Sequence, residues 1–294
     1  MTATTGTRRR SRVGAWVRAC RPRQWIKNLL VLAVPAAAGT LGDARVLEHA
    51  LLAFVAFVLV SSGTYLLNDA GDVEADRAHP VKRTRPIAAG EISVRAAVIG
   101  AVAAILAGIA LAFATAAALG GVVTGYAVLT TLYTRVLKHE PVFDIATVAA
   151  GFFLRAVAGG AASDIGISRW FLIVAGGGSL FLVVGKRYAE VVGHGETARA
   201  TLEEYSPEYL RALLSTTAAV TTLAYVLWSF EKHGGSASRW TAASCVPFVL
   251  GIMRYGLLVD QGHGEEPEEI LLGDRVLQAI GVAWLALLAV GVIF

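Results

Sequence analysis

Thr64-Tyr65-Leu66-Leu67-Asn68-Asp69-Ala70-Gly71-Asp72-Val73-Glu74-Ala75-Asp76 passes from an apolar run straight into a row of carboxylates. The run before it, from about residue 46 to 68, is long enough to cross a bilayer core, which needs about 20 helical residues. If helical geometry persists across Gly71, steps of about 100 degrees bring Asn68, Asp69, Asp72 and Asp76 into one arc and leave Glu74 outside it. Carboxylates so close would repel one another and raise their pKa values unless a cation held them ionised. Oxygen donors without His or Cys suit Mg2+, which keeps several waters and bridges a few carboxylates to substrate phosphates. A solvated acidic loop would explain neither the spacing nor the position at the end of an apolar run.

Directly downstream stands His79-Pro80-Val81-Lys82-Arg83-Thr84-Arg85-Pro86. A positive-inside flank accounts for some of this charge, and Arg83 could simply face lipid headgroups. Lys82 and Arg85 read as phosphate contacts, because cations beside a metal-binding carboxylate cluster are what a diphosphate leaving group requires.

The rest of the chain has the same character. Of 294 residues, 55% are hydrophobic and only 16% charged, and mean hydropathy is +0.60. This excludes a soluble enzyme on a single anchor, a secreted disulfide scaffold and a disordered chain. Apolar blocks at roughly 24–41, 46–68, 95–118, 121–137, 142–162, 169–187, 208–230, 240–259 and 275–294 predict an all-α integral membrane bundle of nine transmembrane helices. The stretch between Arg95 and Arg135 carries no charge and is too long for one pass, so a turn is expected at Gly120-Gly121. Lys27, Asn28 and Pro35 make the first span polar and bent.

Residues 1–23 carry Arg8, Arg9, Arg10, Arg12, Arg18, Arg21 and Arg23 with no acidic residue, which reads as a basic cytoplasmic tail before a single catalytic domain over 24–294. With the N-terminus inside, about 19 of the 26 Lys and Arg fall on the cytoplasmic side, as membrane topology demands. The two longest connections, 69–94 and 188–207, are then both cytoplasmic and are where function is expected. A net charge of +4 is too slight to suggest a nucleic-acid partner. Cys20 and Cys245 suggest neither a disulfide nor a thiolate metal site. Gly159-Gly160 and Gly176-Gly177-Gly178 lie inside apolar helices and read as close helix packing, within one chain or in a homo-oligomer.

A second polar site is expected at the end of span six. Gly185-Lys186-Arg187-Tyr188-Ala189-Glu190 is basic with one carboxylate, Glu190, and the following residues to Glu196 include no Asp. Lys186 and Arg187 could hold a metal-free phosphate, or merely flank the span. Asp144 and Arg155 are eleven residues apart, about three helical turns, so both project from nearly one face of span five, roughly 16 Å apart along the axis. Charges at that depth line a cavity or find a partner. Gln24, Lys27 and Asn28 are further candidates, with the alternative that they snorkel to the interface.

The pattern from Asn68 to Asp76, at the end of the second of nine spans and followed by Lys82 to Pro86, resembles the first signature of the UbiA-type polyprenyltransferase superfamily. Members are all-helical intramembrane enzymes in which Mg2+ on two Asp-rich motifs binds a diphosphate, usually that of a prenyl donor. Here the second Asp-rich motif is replaced by the Lys186-Arg187 site. That replacement, with Arg21-Pro22-Arg23-Gln24-Trp25-Ile26-Lys27-Asn28, Leu137-Lys138-His139-Glu140-Pro141-Val142-Phe143-Asp144 and Gly151-Phe152-Phe153-Leu154-Arg155-Ala156, resembles the decaprenyl-phosphate phosphoribosyltransferase branch, which serves cell-wall arabinan synthesis through decaprenyl-phosphoryl arabinose.

The resemblance implies a Mg2+-dependent pentosyltransferase of the plasma membrane. Its donor is phosphoribosyl pyrophosphate and its acceptor a polyprenyl phosphate. Asn68, Asp69, Asp72 and Asp76 would hold the metal, and Asp144 would join the three aspartates in catalysis. Lys27, Asn28, Asn68, Lys82, Arg85, Lys138, Arg155, Lys186, Arg187 and Glu190 would bind substrate. A donor with a diphosphate at one end and a 5-phosphate at the other independently wants one metal cluster and one separate cationic pocket. Prenyl transfer to an aromatic ring and non-catalytic lipid transport or binding are the rival readings.

Overall fold

The computed structural model describes residues 12–193, 200–231, 236–263 and 267–293. Arg8, Arg9, Arg10, Glu196 and Lys232 therefore lie outside the described residues. Among those described, all regular structure is helical: α1 (Arg12–Ala19), a 3-10 segment (Pro22–Leu32), α2 (Ala33–Ala38), α3 (Ala44–Gly71), α4 (Val73–Ala78), a 3-10 turn (Lys82–Thr84), α5 (Val94–Thr115), α6 (Ala117–Arg135), a 3-10 turn (Leu137–His139), α7 (Phe143–Ser163), α8 (Arg169–Gly193), α9 (Ala200–Glu203), α10 (Pro207–Glu231), α11 (Ser236–Asp260), α12 (Pro267–Gly273) and α13 (Arg275–Ile293).

Eight of these helices, α3, α5, α6, α7, α8, α10, α11 and α13, are long and apolar enough to cross a membrane. The chain is an integral membrane protein. The ninth crossing expected over 24–41 has a different build. Eleven residues of 3-10 helix rise about 2.0 Å each and the six of α2 about 1.5 Å, together about 31 Å, enough for a hydrocarbon core. This stretch begins beside Asp69 near the end of α3, where Arg21 pairs with it. It ends at Gly39, shortly before α3 begins, in close contact with Val292. The polypeptide therefore traverses the bundle, in the tighter helical form rather than as a regular α-helix.

The boundary between the third and fourth expected spans falls at Ala116, whose extended backbone (φ −160°, ψ 141°) separates α5 from α6, and not at Gly120-Gly121. Gly120 lies within α6 because the ring of Phe113 folds back over it, leaving no room for a Cβ. Asp43 caps α3 by accepting from the N–H groups of Arg45 and Val46 at 2.8 and 3.2 Å, satisfying donors that a helix start leaves unpaired.

With lipid tails as apolar as leucine, packing here relies on close backbone approach. Gly63 and Gly108 let α3 and α5 touch: a Cβ at either would lie within 2.8 Å of the backbone oxygen of Ala101 or Ala56. Gly159 faces the Val31 carbonyl of the 3-10 segment and Gly177 faces Thr221 of α10, so these glycines do pack helices within the chain. Two of the apolar cores that result meet at α7. One gathers Phe57, Val60, Leu119, Val123 and Ala158; the other gathers Phe152, Phe181, Val184, Leu210, Tyr255 and Val259. Helix α7 contributes to both, and the polar side chains collect along it and the 3-10 segment.

Candidate active site

The acidic site forms where α3 gives way to α4. Asp72 interrupts the helix (φ −94°, ψ 13°), yet its N–H still reaches Asn68 O at 2.9 Å and its carbonyl accepts from Asp76 N–H at 2.8 Å. The four-residue spacing therefore survives across Gly71. Asp69 and Asp76, 2% and 4% exposed, converge on one guanidinium nitrogen: Arg85 Nη1 lies 3.2 Å from Asp69 Oδ1 and 2.7 Å from Asp76 Oδ2. Arg21 Nη2 adds a contact to Asp69 Oδ1 at 2.5 Å. Asp72 is more open and faces Lys138 Nζ at 3.8 Å. Glu74 points elsewhere, to Arg77 at 2.7 Å. Asn68 is half-buried beside Asp69, and Lys82 is half-buried with no ion pair among the described residues.

This donor set fits a hard divalent cation. It is built of oxygen alone, and two of its carboxylates are already arranged around a single positive centre. Among the described residues no three His, Cys, Asp or Glu side chains close into a cage. Mg2+ is commonly held by one or two carboxylates, with substrate phosphate and water completing its shell.

The basic site is a network rather than a bare cationic patch. Arg187, 3% exposed, places Nε 2.8 Å from Asp144 Oδ2 on α7 and Nη1 2.5 Å from Glu190 Oε2. Its Nη2 donates to Tyr133 Oη at 3.2 Å. Lys186, 30% exposed, lies 3.6 Å from Glu190 Oε1. Both residues sit on α8, which continues to Gly193 through the start of the expected 188–207 loop. That connection supplies Tyr205, which donates to Asp144 Oδ1 at 2.6 Å and accepts from Val142 N–H at 2.5 Å. Burial, aided by this bond to Asp144, pushes the Tyr205 hydroxyl above the usual tyrosine range, so it stays a donor. Val142 is held at φ 67°, a conformation costly for a β-branched residue and maintained here by the surrounding contacts.

Between the two sites runs the 3-10 segment. Arg21, itself left-handed at φ 52°, stacks on the Tyr65 ring at 4.9 Å. Its turn is pinned by Trp25 Nε1 and Ser62 Oγ, which donate to Cys20 O at 3.1 and 3.3 Å. Six residues on, Lys27 Nζ lies 3.0 Å from Glu268 Oε1 of α12 and 5.9 Å from the Phe152 ring centre. Burial pushes the Glu268 carboxyl up, but the Lys27 ammonium together with hydrogen bonds from Lys27, Gln24 and the Glu268 backbone N–H holds it below its ordinary value. Asn28 Oδ1 accepts from Arg155 Nε at 2.7 Å, while the guanidinium also donates to Gly151 O at 2.8 Å and Tyr126 Oη at 2.6 Å. Arg155 meets no carboxylate among the described residues. Asp144 and Arg155 are both buried within the bundle, and they serve different networks.

Residues 29–273 match the UbiA prenyltransferase family. The chain belongs to that family. It is 47% identical over 277 residues to the decaprenyl-phosphate phosphoribosyltransferase of Corynebacterium glutamicum, covering 91% of this chain and 83% of that protein. It is 44% identical over 289 residues to the protein of the same name from Mycobacterium tuberculosis, covering 96% and 95%. A solved UbiA homolog from Archaeoglobus fulgidus, bound to GPP and Mg2+, superposes with a TM-score of 0.73 at 20% identity, covering 95% of this chain and 99% of that one. At that identity the likeness speaks for the fold.

The remaining side chains of these networks, Tyr126, Tyr133, Tyr205 and Glu268, carried no spacing signal. Glu268 is one of four glutamates in Glu265-Glu266-Pro267-Glu268-Glu269, a run that reads as a solvated loop until α12 is packed against the 3-10 segment. A cavity of about 470 Å³ lined by Asp43, Arg45, His49 and Asp164 lies at the far end of α3 and contains none of the expected site residues.

Proposed function

We propose that this UbiA-family protein transfers the 5-phosphoribosyl group of phosphoribosyl pyrophosphate to decaprenyl, or a similar polyprenyl, phosphate and releases diphosphate, feeding cell-wall arabinan synthesis. The bond from C1 of the ribose to the diphosphate oxygen breaks, its electron pair leaves with diphosphate, and an oxygen of the lipid phosphate forms the new bond to C1. The observation that carries this reading is the pairing of one carboxylate site with a second site in which Lys186 and Arg187, held beside Asp144 and Glu190, stand where a second Asp-rich motif would be expected. The names borne by its relatives at 44–47% identity support it.

Asp69, Asp72 and Asp76, with Asn68, would hold Mg2+, which when bound offsets charge on the leaving diphosphate. Lys82, Arg85 and Lys138 contact the diphosphate oxygens. Lys186 reaches the 5-phosphate, and Arg187 fixes Asp144 and Glu190 beside it. Arg155 and Asn28 hold the 3-10 segment in place and so set the position of Lys27. A phosphate acceptor is already anionic near neutral pH, so no strong general base is needed. Rate comes from alignment and from stabilising charge as C1 becomes oxocarbenium-like. The catalytic domain spans 24–294, lies in the plasma membrane and opens both sites to the cytoplasm.

The test is transfer of radiolabel from phosphoribosyl pyrophosphate to extractable lipid by purified protein in detergent, with polyprenyl phosphate as acceptor. Label in lipid that depends on both substrates supports the reading; label from a prenyl diphosphate on an aromatic acceptor, with none from phosphoribosyl pyrophosphate, overturns it.

A further inference from the structure

We propose that Glu268 and Tyr255 form a subsite for the ribose hydroxyls of the donor, an inference that rests on the phosphoribosyl reading above. Three observations carry it. The first is burial with unused hydrogen-bonding capacity. Glu268 and Tyr255 are 6% and 3% exposed; Tyr255 Oη meets no hydrogen-bond partner among the described residues, and the Glu268 carboxylate, facing Lys27 and Gln24, keeps lone pairs to spare. A carboxylate offers about four lone-pair positions and a phenol can donate as well as accept. Leaving such capacity buried and unmet costs free energy, which a partner that both donates and accepts would relieve.

The second observation is charge. Lys27 Nζ sits 3.0 Å from Glu268 Oε1, so the carboxylate is already balanced and the pair is neutral as a whole. A neutral pair whose carboxylate keeps lone pairs to spare is badly suited to a phosphate, since the carboxylate would repel it. It is well suited to a hydroxyl, and a carboxylate accepting from ribose hydroxyls is a recurrent mode of nucleotide recognition.

The third observation is position. Tyr255 packs against Gly185, with its ring 3.2 Å from where a Cβ would stand, and Gly185 directly precedes Lys186 and Arg187. Lys27 is six residues along the 3-10 segment from Arg21, which contacts Asp69. Glu268 is thus tied through Lys27 to the segment that starts at the acidic site, while Tyr255, which feels its charge, stands against the helix that carries the basic one. A donor with its diphosphate at the first and its 5-phosphate at the second would have its sugar ring between them. Helix α12 accordingly supplies a third wall of the site and, with Tyr255 of α11, makes the enzyme selective for ribosyl over deoxyribosyl donors.

The experiment measures steady-state transfer to polyprenyl phosphate with phosphoribosyl pyrophosphate and with its 2-deoxy and 3-deoxy analogues, for wild type, Glu268→Gln and Tyr255→Phe. Wild type is expected to prefer the ribosyl donor over at least one deoxy analogue by about 10- to 100-fold in kcat/KM, the range for losing a hydrogen bond to a buried polar group. Glu268→Gln should raise the donor KM about 10-fold or more, leave the acceptor KM unchanged and reduce that preference to a few-fold. Tyr255→Phe, which removes one oxygen and keeps the ring, should reduce the preference in part and serves as the readout should Glu268→Gln not fold. An undiminished preference in a folded Glu268→Gln, or in Tyr255→Phe alone if only that variant folds, overturns the subsite while leaving the transfer reaction standing. Wild type that turns over no phosphoribosyl donor overturns the reaction itself, and the subsite with it.

Discussion

Arg21 Nη2 lies 2.5 Å from Asp69 Oδ1, so the residue that opens the first crossing is tied to the carboxylate that closes the second. The same short segment reaches Glu268 through Lys27 and Arg155 through Asn28. One irregular strand of chain thereby holds the acidic site, the third wall and the bundle interior in register.

The metal assignment makes Asp72 the most exposed of the three carboxylates and the one nearest Lys138. Asp72→Ala is expected to lower kcat by about 100-fold or more, the range for losing a group that stabilises transition-state charge, and to raise the Mg2+ concentration needed for half-maximal rate. Radiolabel transfer across a Mg2+ titration checks this; wild-type turnover at limiting Mg2+ would remove Asp72 from the metal site.

Lys186 and Arg187 are adjacent but should fail differently. Arg187→Met leaves Asp144 and Glu190 without their main cation in a buried setting and should destabilise the fold by about 3–5 kcal/mol, seen as a lower thermal midpoint in detergent. Lys186→Ala, at a more exposed side chain, should keep the midpoint and raise the donor KM.

Gly159→Ala would place a methyl 1.8 Å from the Val31 carbonyl oxygen. Neither backbone can easily give way, so a loss of about 1–3 kcal/mol is expected from overpacking. Gly121→Ala, with nothing within 4 Å, should be neutral or stabilise α6 by about 0.5–1 kcal/mol. Thermal midpoints of opposite sign for the two glycines are the outcome to look for.

Because the Glu268 carboxyl is held low when folded, its ion pair with Lys27 contributes stability that is complete above the unfolded glutamate pKa, about 4.3. That stability is lost as pH falls through the lower folded value. The acid limb of a midpoint-versus-pH curve should therefore be shallower in Glu268→Gln than in wild type. Parallel limbs would show that the pair contributes nothing to acid stability.

Ligand-induced stabilisation separates the donor classes. Phosphoribosyl pyrophosphate with Mg2+ at 100 times its Kd should stabilise the protein by about 2.7 kcal/mol. Geranyl diphosphate with Mg2+ should give a clearly smaller shift in the same thermal assay; a shift as large would favour the prenyl-donor reading.

The apolar blocks and the scarcity of charge determined by themselves that this chain is a helical membrane bundle, because a hydrocarbon core tolerates few other backbones. The spacing from Asn68 to Asp76 likewise located the acidic site, since short-range helical periodicity is written in consecutive residues. Other features required the tertiary structure. The first crossing is a 3-10 segment that packs against Gly159 of α7, a contact between residues far apart in sequence. Arg187, a bare cation in sequence, is matched by Asp144 and Glu190 only once α7 and α8 pack. Glu268 looked like one acid among four until α12 delivered it to Lys27. Pairings of this kind depend on which helix faces which across the bundle, and no local periodicity encodes that.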